Sequence, residues 1–414
     1  MNITLRELKP SIYSSRNMII RMIKKLGIDE LKNRITLNLI DLKKMIEWNE
    51  QNGIKVFRIS SNLFPHKTNK AVDSYTFDFA KDLLKEAGDL AKSYNQRITM
   101  HPGQYNVVGT PREEMFQQTL LNLDYQAELL DLMGMGKDSV LVVHGGGLYG
   151  DKEKTKKRWC ANFHRLPERV RKRLVIENCE RIFSIEDCLD IANNINIPVV
   201  MDTHHFDCYK LLKTHKDELF KSPDKYIPAV LETWTRRGIK PKFHVSEQCC
   251  GGRVGKHSDF IHGIPLYLLE IPLLYNIHID IMIEAKKKEL SIQRLYRKYP
   301  FLNCKREKTH RRVYNIRVKK RPKKTSKIIK IKIKKSHSLS KPLSCKLNVK
   351  RKKTSPKPLS CKLNVKRKKT SPKPLSCKLN VKRKKTVTPK TIAKTPTNLY
   401  SVVELSTTSV IAQV

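Results

Sequence analysis

Residues 174–178 read LVIEN: three apolar positions that would bury on both faces, closing on the carboxylate of Glu177 and an amide. A short apolar run with a chemically useful residue at its C-terminal edge is the mark of a parallel strand in a βα unit. The same form appears on both sides. Upstream lie VFRISSNLFPH (56–66), RITMHPGQY (97–105) and SVLVVHGGG (139–147), and downstream PVVMDTHH (198–205), KFHVS (242–246) and IDIMIEA (279–285). Most of the intervals carry amphipathic helical patterns. Seven βα repeats of this kind predict a TIM-type (β/α)8 barrel, whose chemistry gathers at the C-terminal ends of the strands. An eighth strand is expected before the first helix, where only MNITLREL is available, so the first strand is expected to be truncated: absent, very short, or lost from this version of the chain. Residues 11–52 read as two helical segments, the first stopping at Gly27.

The formal charge is +45, and residues 301–414 hold 36 Lys and Arg against 2 Asp and Glu. A globular part over 1–300 therefore carries a cationic tail over 301–414. Within the tail, KPLSCKLNVKRKKT recurs at Lys341, Lys357 and Lys373, a period of 16 spanning 341–386. Each unit offers too few apolar residues to bury a face, so the tail is expected to be disordered and drawn to polyanions, nucleic acid first. Basic clusters such as KKRPKK also fit nuclear targeting, which leaves nucleus and cytoplasm open.

The N-terminus lacks a signal-peptide pattern, and HGIPLYLLEIPLLYNIHIDIMIEA contains Pro265, Glu270, Pro272 and Asp280, a poor composition for a bilayer span. That stretch reads as a buried loop or short helix leading into the last strand. The 10 cysteines show no C-x-x-C pairing and fit reduced thiols in an intracellular protein.

The strand ends gather His101, His144, Glu177, Asp202, His205, His244, His257 and Glu284. Any one such histidine is more often a hydrogen-bonded structural residue, but eight placed at successive strand ends point to bound divalent cations. Mixed imidazole and carboxylate donors suit Mn2+, Zn2+ or Fe2+. Glu177 can bridge two ions, with Asp202, His244 and Glu284 completing one site and His101 and His144 a second, while His205 and His257 suit a third. His204 is expected to point away. So large a donor set favours phosphodiester hydrolysis, with one ion activating a water and the others holding the phosphate, over a two-metal sugar isomerase.

The strings RISSNLFPH, HPGQYNVVGTP, LVVHGGGLYGDK, LVIEN, MDTHH, KFHVSEQ, RVGKHSDFI and MIEAKKKE resemble those of the UV damage endonuclease family, in order, over roughly residues 2–300. The family is similar in fold to endonuclease IV. The resemblance implies a DNA repair enzyme that nicks the backbone immediately 5′ to cyclobutane dimers and 6-4 photoproducts, with three Mn2+ as the usual metals. It assigns metal ligation to the eight residues above and catalytic roles to Glu177, Lys242 and His66. His66 would be a ligand or phosphate contact, and Lys242 matches a lysine that can be carboxylated. Gln104 and Tyr105 match a pair that inserts into the duplex at the lesion, with Asn2 as a further probing residue. A tyrosine expected just before Asn2 is missing. The expected partners are lesion-bearing double-stranded DNA and, through the tail, DNA of any sequence, bound by a monomer. The alternatives are an apurinic-site endonuclease of the related fold and an inactive DNA-binding relative.

Overall fold

The computed structural model describes residues 2–212 and 220–305, so the tail and its repeats lie outside the described residues. Three helices come first: α1 (Ile3–Arg6), α2 (Ile20–Leu26) and α3 (Ile28–Gln51). Gly27 separates the last two at φ 85°, a left-handed backbone that glycine adopts without steric cost. Seven strands follow: β1 (Val56–Arg58), β2 (Arg97–Thr99), β3 (Leu141–His144), β4 (Leu174–Glu177), β5 (Val199–Val200), β6 (Lys242–Val245) and β7 (Asp280–Ile283). Between and after them run α4 (Lys81–Ser93), α5 (Glu113–Leu132), α6 (Lys152–His164), α7 (Glu168–Arg171), α8 (Ile185–Ile195), α9 (Thr203–Leu211), α10 (Ile227–Thr235), α11 (Leu266–Leu269), α12 (Ile271–Tyr275) and α13 (Lys288–Lys298).

This is an α/β chain in which every paired strand is parallel. β1 pairs with β2, β3 with β4 and β4 with β5, and β6 with β7. Parallel bridges at Met100–Leu141 and Asp202–His244 link the three groups in chain order. His144 stands opposite Glu177 in the β3–β4 register, which puts two candidate ligands side by side. Strand residues Leu141, Val142, Leu174, Ile176, Val199 and Ile281 are wholly buried, as expected of parallel strands covered by helices.

One feature locks the helices and another the strands. A Cβ on Gly88 of α4 would meet Met133 O at 1.8 Å, so only glycine allows α4 to approach the end of α5 so closely. At the opposite end of the strands from the candidate ligands, buried Asp280 accepts from Arg97 Nη1 at 2.8 Å and pairs with Lys240 at 2.5 Å, tying β2 to the start of β7.

Two expectations take definite form here. The stretch where a first strand was expected is helical in part, because Asn2 Oδ1 accepts from Leu5 N and Glu289 accepts from Ile3 N and Thr4 N, satisfying the open N–H groups of α1. Among the described residues β1 and β7 do not pair. They meet through an ion pair of Arg58 and Glu284, with a cavity of about 300 Å³ between them. Second, the apolar stretch before β7 is not wholly buried: it forms α11 and α12, with Leu266, Leu273 and Leu274 more than half exposed. No helix among the described residues is long and apolar enough to cross a membrane, and all seven cysteines described are free.

Candidate metal centre

Glu177 ends β4 with no exposed surface, and both of its oxygens are taken. Oε1 lies 2.8 Å from His244 Nδ1 and Oε2 lies 2.9 Å from His101 Nε2. His144 Nε2 is 3.7 Å from Oε2, and His205 Nδ1 is 3.7 Å from Oε1. Asp202 caps α9, its Oδ1 accepting from His204 N and His205 N at 2.8 Å each, while Ser246 Oγ reaches both carboxylate oxygens at 3.3 Å. Glu284, beyond the end of β7, has Oε1 3.3 Å from His244 Nδ1 and Oε2 3.9 Å from His257 Nδ1.

Two groups bring donor atoms within 4.8 Å of one another: His101, Glu177 and His244, and Glu177, Asp202 and His205. Glu177 belongs to both. Two buried ring nitrogens, His144 Nδ1 and His244 Nε2, have no hydrogen-bond partner. A buried imidazole nitrogen left unpaired costs free energy unless something accepts its lone pair or proton, and a cation does so. The donor set thus fits divalent metal.

The charges agree. Burial opposes ionisation of Glu177, yet the imidazoles of His244 and His144 and the hydrogen bonds from His101 and His244 hold its carboxyl well below the usual range. Burial pushes Asp202 up to about 7, against the pull of His205. Burial lowers His144 to about 4 and depresses His244 and His257 too, so these rings are neutral at pH 7, as ligation requires. His205 is the exception: although burial disfavours its charge, Asp202 and Glu177 raise it to about 9.

Asn178 is a residue the sequence reading missed. Its Oδ1 accepts from Asp202 N at 2.9 Å, its Nδ2 donates to Asp202 O at 3.1 Å, and its carbonyl lies 3.0 Å from His205 Nδ1. One residue therefore meets two candidate ligands, Asp202 through its side-chain amide and His205 through its main-chain carbonyl. Its position directly after Glu177 was the available signal. Arg58, the partner of Glu284, was missed as well, though it ends β1 as the histidines end theirs.

Lys242 is wholly buried on β6, with Nζ 2.9 Å from Thr99 Oγ1. Burial first, then Arg97 and Arg58, bring it down to about 7. His66 falls in neither donor group: its Nε2 lies 2.7 Å from Met18 O and its Nδ1 3.2 Å from Asn69 Nδ2, with the backbone at φ 59°. His204 is outside them too, its Nδ1 lying 3.4 Å from Cys208 Sγ. Gln104 and Tyr105 are exposed on the loop after His101, Tyr105 by 69%. Gly103 lets that ring lie close, since a Cβ there would come within 2.4 Å of it. Asn2 is buried, with its oxygen engaged as the α1 cap.

A family model described as UV-endonuclease UvdE matches residues 1–312. A protein of Acanthamoeba polyphaga mimivirus named "Putative UV-damage endonuclease" is 40% identical over 292 residues, which cover 70% of this chain and 86% of that one. The UV-damage endonuclease of Schizosaccharomyces pombe is 37% identical over 313 residues, 73% of this chain and 50% of the yeast protein, so the match spans half the length of that relative. The crystal structure of SacUVDE superposes with a TM-score of 0.60 at 30% identity, covering 70% of this chain and 96% of that one.

Proposed function

The chain belongs to the UV-damage endonuclease family, and from that premise we propose that it is a metal-dependent DNA repair endonuclease nicking the backbone immediately 5′ to ultraviolet photoproducts, both cyclobutane dimers and 6-4 photoproducts. The observation that carries the metal-centred reading is Glu177: a buried carboxylate shared by two candidate ligand groups, with His101 on one oxygen and His244 on the other. The order of the strands supports a (β/α)8-type barrel with this centre at the C-terminal ends of the strands.

In this reading His101, His144, Glu177, Asp202, His205, His244, His257 and Glu284 hold divalent ions, three Mn2+ by family resemblance. When bound, such ions supply Lewis acidity to the phosphate and lower the pKa of a water. The protein's own contribution is to orient and exclude. Ser246 and the amides of residues 204 and 205 fix the Asp202 carboxylate, and Asn178 fixes the His205 ring. Lys242 has the neutral fraction at pH 7 that carboxylation of an amine requires, and its side chain is wholly buried. Gln104 and Tyr105 are free to enter a duplex, the ring stacking where bases part. Asn2 can offer only its amide nitrogen, and His66 serves as a phosphate contact only if it leaves Met18 O. The tail acts as a nonspecific DNA tether. The enzyme works as an intracellular, DNA-associated monomer.

The test is nicking of two otherwise identical duplexes in Mn2+, one with a single cyclobutane dimer and one with an abasic site. Cleavage at the phosphate 5′ to the dimer is expected. Cleavage confined to the abasic duplex would overturn the photoproduct assignment in favour of an apurinic-site enzyme.

A further inference from the structure

The loop after β7 carries Lys286, Lys287 and Lys288 past the candidate ligand Glu284. Backbone bonds from Lys286 N to Ser258 O at 3.1 Å and from Lys287 N to Asp259 O at 2.9 Å pin it against the segment that carries His257. Lys288 takes a left-handed backbone, φ 43°, which a long side chain rarely adopts. Lys286, Lys288 and Arg58 line the cavity between β1 and β7 together with Glu284 and His257.

Positive charge is in surplus there. Arg58 pairs with Glu284, a carboxylate that the metal centre claims. Glu289 is spent on α1, accepting from Ile3 N, Thr4 N and Thr4 Oγ1. Asp259 comes no closer than 4.0 Å to Lys286, and among the described residues no carboxylate lies within ion-pair distance of Lys288. Three cations thus face one recess at the edge of the centre, held in place by main-chain bonds and a left-handed turn, and the two carboxylates that line it, Glu284 and Glu289, are already engaged by Arg58 and by α1.

We propose that Lys288, Lys286 and Arg58 form a second phosphate subsite, which takes a backbone phosphate of the nicked strand beside the one being hydrolysed and so sets the register of the DNA on the metals. The proposal rests on the nuclease reading above. Such a contact is electrostatic and independent of sequence, so its removal weakens binding uniformly.

The experiment is a binding cycle on the full chain. Lys288→Asn removes the charge while tolerating the left-handed backbone, and Lys288→Arg retains the charge. Each is titrated with a lesion duplex in which single phosphates are replaced, one at a time, by neutral methylphosphonates. Lys288→Asn is expected to flatten the slope of log affinity against log salt by about 0.9, to leave Mn2+ binding unchanged, and to be rescued by Lys288→Arg. At one linkage the methylphosphonate should weaken the wild type severalfold and the Asn variant hardly at all. Losses that multiply at every linkage, or an Asn variant that binds less Mn2+, would overturn the proposal. Because the cycle is read in binding, it is decided whether or not the dimer is nicked. Absence of nicking would count against the functional reading instead.

Discussion

His244 Nδ1 lies 2.8 Å from Glu177 Oε1, although 67 positions separate them and β5 stands between their strands. Side chains from strands that are not neighbours can meet in this way only if both project to the same side of the parallel array and the array curves to bring them together. The same geometry brings His101 to the other oxygen of Glu177. A carboxylate that accepts from an imidazole on each oxygen has its position fixed before any metal or DNA arrives.

Asn178 holds the other half of the centre. Replacing it with alanine removes both hydrogen bonds that its side chain makes to the Asp202 backbone, while the main-chain carbonyl that meets His205 Nδ1 stays. Losses of this kind cost roughly 10- to 100-fold in metal affinity. The rate of nicking titrated with Mn2+ should therefore half-saturate at a correspondingly higher concentration in Asn178→Ala, with turnover largely recovered at saturation. An unchanged titration would show that the amide plays no part.

Lys242 gives the metal-free protein a pH-dependent stability of known sign. Its folded pKa is about 7, whereas an unfolded lysine titrates near 10.4, so between those values the unfolded chain binds more protons. Stability from this group is therefore present at high pH and lost as pH falls toward 7, where the buried amine must take up charge. Urea unfolding of wild type and Lys242→Met across pH 7 to 10 should show the wild type gaining a few kcal/mol relative to the variant. Parallel curves would contradict the burial argument.

Tyr105 is exposed, its ring held against the small Gly103 on its own loop. Tyr105→Ala should change unfolding stability by less than about 0.5 kcal/mol. If the ring stacks in an opened duplex, lesion binding should weaken by roughly 1 to 3 kcal/mol. Competition between lesion and undamaged duplexes reads this directly, and an unaltered preference would remove Tyr105 from lesion recognition.

The tail should be cut after Lys305 and not before it, because Lys305 Nζ bonds Gln51 O at 2.6 Å and its backbone N bonds Asn303 Oδ1 at 3.0 Å. A chain ending there should nick a short lesion duplex with unchanged kcat. Its affinity should be weaker at physiological salt and should fall less steeply as salt rises, since each lost phosphate contact removes about 0.9 from the slope. Equal slopes with and without the tail would refute the tether.

All seven strands were legible because each pairs an apolar run with a polar residue at its end, and parallel strands buried on both faces must have that composition. Glu177, Asp202, His205, His244 and Glu284 were legible for the same reason: position at a strand end decides convergence. What escaped the sequence depends on partners that no local pattern encodes. Asn178 is marked only by its place directly after Glu177, and Arg58 becomes significant only once β1 is brought to β7. The helical N-terminus escaped because Glu289, 286 positions from Ile3, supplies the acceptor that makes a helix start there possible. His66 carries a motif histidine, yet its ring rests on a main-chain carbonyl, a choice that composition could not reveal.

The most direct test of the central claim is single-turnover nicking of a duplex with one cyclobutane dimer in Mn2+, comparing wild type with Glu177→Gln. The substitution keeps the shape of the side chain but removes the charge shared by both donor groups. Cleavage at the phosphate 5′ to the dimer is expected from the wild type. In the variant the rate should fall about a hundredfold or more, accompanied by loss of bound Mn2+ in a protein that remains folded. A variant that binds Mn2+ and nicks as the wild type does would contradict the central claim.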